Sequence, residues 1–437
     1  MRLRLALCLL VLLAPAITWA GPYEIFGTGP RAIAMGGAYA ALGDDVAGLY
    51  YNLAAITQVT RFHLELGYTY ATPYMRIDGA REDVDQNKGY AIGGIVSTTI
   101  KGHRLSGGVN AFIPQSYLMR FLMFTSNQPH SPLVANANQR IVALTGLAFE
   151  VFPWLSVGGG LNMLANNHGG VDFLVNEHTP SEGSLHSNIS GVFAPIAGLW
   201  SQPTDWLRVG VSYREKLVCR LVLPNDVSIP PVTAFPGSNV AILPASHLTL
   251  SADAWSHFTP RQFELGVAFE PYDWLTVSVD LTYMEWSEMK SDMPAASIVL
   301  TGGLADIVPT INGPQPPPAT FRDTFNPAIG IEGRPLDDPD LSLALRLGYR
   351  YRPTPVPNQT GVNNYLDSDT HIFSGGFGLT FGPFWDIFPQ PLSLDAFVQY
   401  HWMTPRTTHK TDPTDVMGDY QFAGQWWNFG GSMTFRF

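Results

Sequence analysis

The stretch Trp427-Asn-Phe-Gly-Gly-Ser-Met-Thr-Phe-Arg-Phe437 decides the architecture. Trp427, Phe429, Met433, Phe435 and Phe437 alternate with Asn428, Gly430, Ser432, Thr434 and Arg436, and a period of two puts each set on one face of a strand. An alternation that finishes on an aromatic is the pattern of a bacterial outer-membrane barrel strand, with lipid on one side and a polar lumen on the other. The pattern recurs upstream. Leu275, Val277, Val279, Leu281 and Tyr283 oppose Thr276, Ser278, Asp280 and Thr282; Leu341, Leu343, Leu345, Leu347, Tyr349 and Tyr351 oppose Ser342, Arg346, Gly348, Arg350 and Arg352. Residues 62–70, 207–213, 263–269 and 392–402 read the same way. A soluble sandwich shares this period, because one face of each of its strands is also buried. Strands of about ten residues and aromatics gathered at strand ends favour the barrel.

The connections sort into two alternating kinds. Short turns are expected at 101–104, 152–154, 203–205, 271–273, 337–340 and 382–391, and long connections near 71–88, 117–138, 168–188, 218–259, 287–320, 354–370 and 404–424. Short periplasmic turns and long external loops are the topology of a single-chain outer-membrane barrel. The strands between them number about fourteen, the even count that a closed antiparallel sheet requires. The fold class is therefore an all-β membrane protein, a closed antiparallel transmembrane barrel.

Composition agrees. Residues 1–20 pair Arg2 and Arg4 with an apolar run and end Ile17-Thr-Trp-Ala20, the pattern of a secretory signal peptide. Its removal takes Lys+Arg from 25 to 23 and the net charge from −11 to −13, and an acidic chain argues against a nucleic-acid partner. Cys219 is then the only cysteine, so no intramolecular disulfide forms. After the leader no run of about 18 residues is free of polar or breaking residues, so helical spans are not expected. Gly-x-Ser-x-Gly, His-Glu-x-x-His and Cys-x-x-Cys signatures are absent. His178 and His186 lack further metal ligands, and His371 with Ser374 lacks an orienting third group. Neither an enzyme nor a cofactor is expected.

Residues 21–60 do not alternate. They are rich in Gly and Ala, with a short helix expected through Ala38 to Leu42, and they precede every strand they could pair with. A barrel of this size has a lumen wide enough to leak, so the segment reads as a hatch inside 61–437, or else as a periplasmic tail.

The segment 27-GTGPRAIAMGGAYAALGDDVAGLYYNLAAIT-57 resembles the N-terminal hatch of the FadL/TodX family of outer-membrane transporters for long-chain fatty acids and other hydrophobic compounds. VDLTYMEWSEM (279–289), LRLGYRYRPTPVPNQT (345–360) and DSDTHIFSGGFGLTF (367–381) extend the resemblance in family order. One departure is that Asn52-Leu-Ala-Ala55 stands where the family usually reads Asn-Pro-Ala-Gly. The resemblance implies a passive channel. Loops capture a hydrophobic molecule, a lumen pocket holds it, and hatch movement releases it sideways, with Tyr23, Phe26, Arg31, Asp44, Asp45 and Asn52 belonging to the hatch.

Several residues could carry this chemistry, each beside a plainer reading. Pro114 interrupts the third strand and either opens the wall laterally or ends the strand at the rim. Leu118, Phe121, Leu122 and Phe124 make a greasy external loop that either captures ligand or packs on its neighbours. Arg208, Arg214, Arg346, Arg350 and Arg352 point inward and could meet a carboxylate head group. Glu65, Glu264, Glu270 and Asp280 point inward too and could pair with them instead. The expected partners are a hydrophobic small molecule or fatty acid and outer-membrane lipid, with no energy-coupling partner and a monomeric chain. An assembly or secretion component and a polar-solute porin remain alternative functions.

Overall fold

The structure, a computed structural model, describes residues 23–437 apart from 83, 117–127, 132, 134–139, 175–181, 234–240, 244, 292, 294, 303–304, 306–310, 313–316 and 384–389. The leader at 1–20 and the loop residues Leu118, Phe121, Leu122 and Phe124 lie outside the described residues.

Fourteen strands form the wall. They are β1 Phe62–Ile77, β2 Asn87–Ile100, β3 His103–Pro114, β4 Val142–Phe152, β5 Leu155–Leu174, β6 Glu182–Thr204 and β7 Leu207–Arg214. After them come β8 Arg261–Tyr272, β9 Leu275–Glu285, β10 Thr324–Asp337, β11 Leu341–Arg352, β12 Thr370–Phe381, β13 Leu392–Thr408 and β14 Tyr420–Arg436. Each is antiparallel to the next, and β14 closes on β1 from His63↔Arg436 to Ile77↔Phe422. Closure removes the free sheet edges, so the wall's ladder hydrogen bonds run from strand to strand instead of to lipid.

Alternation places side chains as their polarity demands. Leu345 and Leu347 are exposed on the lipid face, whereas Arg346 between them is buried in the lumen. Aromatics bound the apolar band. On the short-turn side Phe152 stacks on Trp154 and Tyr272 on Trp274. Toward the long loops Tyr68 meets Tyr90 and Tyr400 meets Trp427. Such girdles mark the two membrane interfaces.

The connection expected at 218–259 is not irregular. It holds a hairpin of Leu217–Ile229 with Ser246–Thr259 that rises off the wall, leaving β7 paired directly with β8 from Gln262↔Arg214 to Phe269↔Leu207. Ala295–Gly302 extends this hairpin on one side, and Val171–Leu174 of β5 pairs with it in parallel on the other.

Residues 23–59 lie within the wall and are mostly buried. They form α1 Tyr23–Phe26, α2 Pro30–Ala34, α3 Gly48–Tyr51 and a 3-10 turn Leu53–Gln58. The helix expected through Ala38 to Leu42 is absent; the segment is a pair of turns. The carboxylate of Asp280 on β9 accepts from the amides of Tyr39 and Ala40 at 2.7 Å each, so the wall satisfies these buried donors.

Candidate functional site

Small residues admit the hatch. Gly108, Gly146 and Gly160 are in register on β3, β4 and β5; Gly210 faces Gly266 across β7 and β8; Gly330 faces Gly348 across β10 and β11. A side chain would collide with the hatch at each side of this collar. A Cβ would stand 2.3 Å from Leu53 at Gly146, 1.9 Å from the Ala40 carbonyl at Gly210 and 2.1 Å from the Gly36 amide at Gly348. Gly36 itself has φ 68° and lies against the Tyr349 backbone, so both partners in that approach need glycine.

Polar anchors then fix the segment. Asn52, fully buried, donates to the carbonyls of Ala40 and of Leu199 on β6, and its Oδ1 accepts from Ala54 N at 3.1 Å. The side chain thus caps the turn at Leu53-Ala-Ala55, where the family's proline and glycine are missing. Trp200 donates to Ala41 O at 2.9 Å. Arg31 bonds Asp44 within the hatch and Glu332 on β10 at 2.7 Å. The Tyr39 hydroxyl donates to Asp45 at 2.7 Å. Burial raises the Asp45 carboxyl, and the adjacent Asp44 charge adds to it, bringing the group up to about 6. Burial opposes ionisation of Asp44 as well, but Arg31 and Arg208 outweigh it and hold that carboxyl below its ordinary value.

Most inward arginines meet acids. Arg208 pairs with Glu270 at 2.9 Å, Arg214 with Glu264 at 3.0 Å and Arg352 with Asp367 at 3.1 Å. Arg346 bridges Glu332 at 2.7 Å and Asp395 at 2.5 Å. Arg350 differs. Its guanidinium lies beside Gly37 of the hatch, and among the described residues no carboxylate stands within ion-pair distance of it; Asp280, which its charge reaches, is held by the hatch amides of Tyr39 and Ala40. Arg350, Ile372, His401 and Trp426 follow one another in register across β11 to β14. His401 is fully buried and stacks on Trp426 at 4.4 Å, and its Nδ1 and the Trp426 Nε1 are unsatisfied.

Above this level the interior is apolar. Met75, Met284, Met289, Met293 and Met403 pack with Phe26, Phe258, Trp286, Phe321 and Trp426 in one buried cluster. These methionines escape sequence reasoning because Met75 falls in the connection expected at 71–88 and Met403 just past the strand read at 392–402, whereas β1 runs on to Ile77 and β13 to Thr408. Unbranched, polarisable side chains adapt to varied apolar shapes. The helix α1 sits at the floor of the cluster: Tyr23 is edge-on to Tyr50 at 5.5 Å and to Phe112 at 6.1 Å, and Phe26 O accepts from Asn428. Only about 20 Å³ remains between α1 and strands β1 to β3, room for a single water rather than a hydrocarbon. Below the hatch a polar vestibule of about 310 Å³ is lined by Arg31, Asp45, His63, Glu65, Glu332 and Asp395, among others.

Pro114 is at the external end of β3, paired with Gly89 of β2; on the other side the ladder with β4 runs unbroken from Leu105↔Phe149 to Phe112↔Val142 and stops short of it. His371 and Ser374 are three residues apart and face opposite ways. The histidine lies on the outer face against Trp402, and the serine bonds Gln399 in the lumen.

A closed barrel of this size, filled by its own N-terminal segment and lined above it by apolar side chains, defines the class of plugged outer-membrane channels. The chain belongs to the family described as outer membrane protein transport protein (OMPP1/FadL/TodX), which matches residues 14–437. That family comprises transport channels rather than enzymes, and it places the chain in the outer membrane as a channel for hydrophobic compounds. Alkane uptake protein A of Marinobacter nauticus is 22% identical over 94% of this chain and 90% of its own length. A FadL homologue of Pseudomonas aeruginosa superposes with a TM-score of 0.56 at 17% identity, covering 96% of this chain and 98% of that one. The toluene transporter TbuX of Ralstonia pickettii gives 0.57 at 16% identity, covering 95% and 100%.

Proposed function

We propose that the chain passively takes up an amphiphile with a long apolar body and a carboxylate head, with residues 21–60 as the hatch and 61–437 as the channel wall. The observation that carries this reading is Arg350, an inward guanidinium with no carboxylate in ion-pair distance among the described residues, set under a methionine-rich apolar cluster. The cluster, parted by the ligand, desolvates the tail at roughly 25 cal/mol per Å² buried. The guanidinium supplies the charge-assisted hydrogen bonds that a desolvated carboxylate needs. Arg208, Arg346 and Arg352 hold the wall and hatch through their acids and do not bind ligand.

Residues 36–56 are held by the collar, so the moving part is α1. Displacement of Tyr23 and Phe26 by the ligand opens space beside β1 to β3. Among the described residues the register of β3 with β4 ends at Phe112↔Val142, and Pro114 has no amide to extend it, which marks that point as the proposed lateral exit. The neutral-hydrocarbon reading is favoured by the likeness to an alkane uptake protein. Mass spectrometry of ligands carried through mild-detergent purification separates the two. Bound fatty acid in the native protein, lost on Arg350→Gln while alkane uptake persists, is the expected result; neutral hydrocarbons alone would overturn the role given to Arg350.

A further inference from the structure

On the lipid face of β1 the hairpin formed with Ala80–Glu82 sets Arg76 directly opposite Arg81. Like charges in facing positions repel, so such a pair weakens the hairpin unless an anion lies between them. Both side chains are exposed and both are organised by one aromatic. Arg76 donates to the Tyr74 hydroxyl from Nε at 3.0 Å and Nη2 at 2.6 Å, with its guanidinium carbon 4.7 Å from the ring centre; that of Arg81 is 5.2 Å from the same ring. Among the described residues no carboxylate pairs with either arginine. Asp78 accepts from Gln421 N, and Glu82 faces Met75 on the other side of the strand.

The height of the pair identifies its counter-ion. Tyr74 stands opposite Gln425, whose Oε1 accepts from Tyr400 of the external aromatic girdle at 2.8 Å. Arg76 is two residues further out, about 7 Å along the strand, beside the small side chain of Ala423. A guanidinium pair just above the girdle and facing outward sits where outer-leaflet headgroups carry their phosphates. Arginine forks match phosphate oxygens in pairs.

We propose that Arg76 and Arg81, sharing Tyr74, clamp a phosphate of the outer-leaflet lipopolysaccharide against the barrel wall at β1. The test uses the full-length protein folded in vesicles that carry bis-phosphorylated lipid A or its dephosphorylated form, with retained lipid counted by native mass spectrometry. Wild type should retain the phosphorylated lipid preferentially. Arg76→Ala/Arg81→Ala should lower that retention roughly 30-fold, as expected for two charges at about 1 kcal/mol each near an anionic surface. A heat-dependent gel shift equal to wild type shows the variant barrel folded, and the dephosphorylated lipid tests the wild-type chain without any substitution. Equal retention of the two lipids by wild type, or undiminished retention by the double variant, would each overturn the clamp.

Discussion

Glu332 gathers three arginines, more than any other wall carboxylate among the described residues. It is almost fully buried and receives Arg31 from the hatch together with Arg334 and Arg346 from the wall. Removing one partner of a buried ion pair strands the others, at a cost of about 3–5 kcal/mol. Glu332→Gln should therefore lower the urea midpoint of the folded barrel and raise its ion conductance, because Arg31 loses its hold on β10. An unchanged midpoint together with an unchanged conductance would show that Arg31 is held by Asp44 alone.

Asp45 gives the hatch a pH dependence. Its folded carboxyl lies near 6, above the 3.8 of the free group, so between those values the native state binds more protons than the unfolded one. Stability from this group is greatest below the lower value and falls as pH rises through the upper one. Hydrogen exchange of the amides around Tyr39 to Val46, corrected for intrinsic rates, should thus be slower at about pH 5 than at about pH 7. Asp45→Asn should flatten the difference; a slope of the opposite sign would mean that Asp44 and Arg31 dominate the titration.

At the scale of elements, the collar makes neighbouring glycines unequal. Gly210→Ala puts a Cβ against a hatch carbonyl that cannot rotate away, whereas Gly159→Ala on the lipid face meets only Ile196 O at 4.0 Å. Overpacking of this kind costs about 1–3 kcal/mol. The first substitution should lower the unfolding midpoint and admit bulky antibiotics, and the second should do neither. The same contrast explains what was legible beforehand. Period-two alternation locates wall strands and the face of every arginine, because lipid and lumen demand opposite polarities. Alternation is silent on who pairs with whom: Arg350 and Arg352 share a strand and a face, and only the fold shows that Asp367 serves the second. The turn that stands in place of the helix expected through Ala38 to Leu42 is likewise set by the wall, since the acceptor for the Tyr39 and Ala40 amides comes from Asp280 on β9. The hairpin within 218–259 is not legible because its prolines and polar residues read as loop.

At the scale of the whole molecule, the hatch combines a body that cannot leave with a tip that can. Asn52, Asp280, Trp200 and the glycine collar fix residues 36–56 to six or more strands, and dragging that body out would expose buried amides and ion pairs together. The helix α1 is tied by less: aromatic contacts of Tyr23, the edge-on contact and apolar packing of Phe26 beside His401, and the single bond from Asn428 to Phe26 O. Ligand binding energy needs to offset only this smaller set, which makes displacement of α1 the affordable motion. Deleting residues 21–26 should raise ligand occupancy, since the floor of the cluster no longer has to be vacated, and should leave ion conductance low, since the collar still seals the pore. Liposome flux and ligand mass spectrometry read these two quantities separately. High conductance would show that α1 is part of the seal, and unchanged occupancy would show that Tyr23 and Phe26 never stood in the ligand's way.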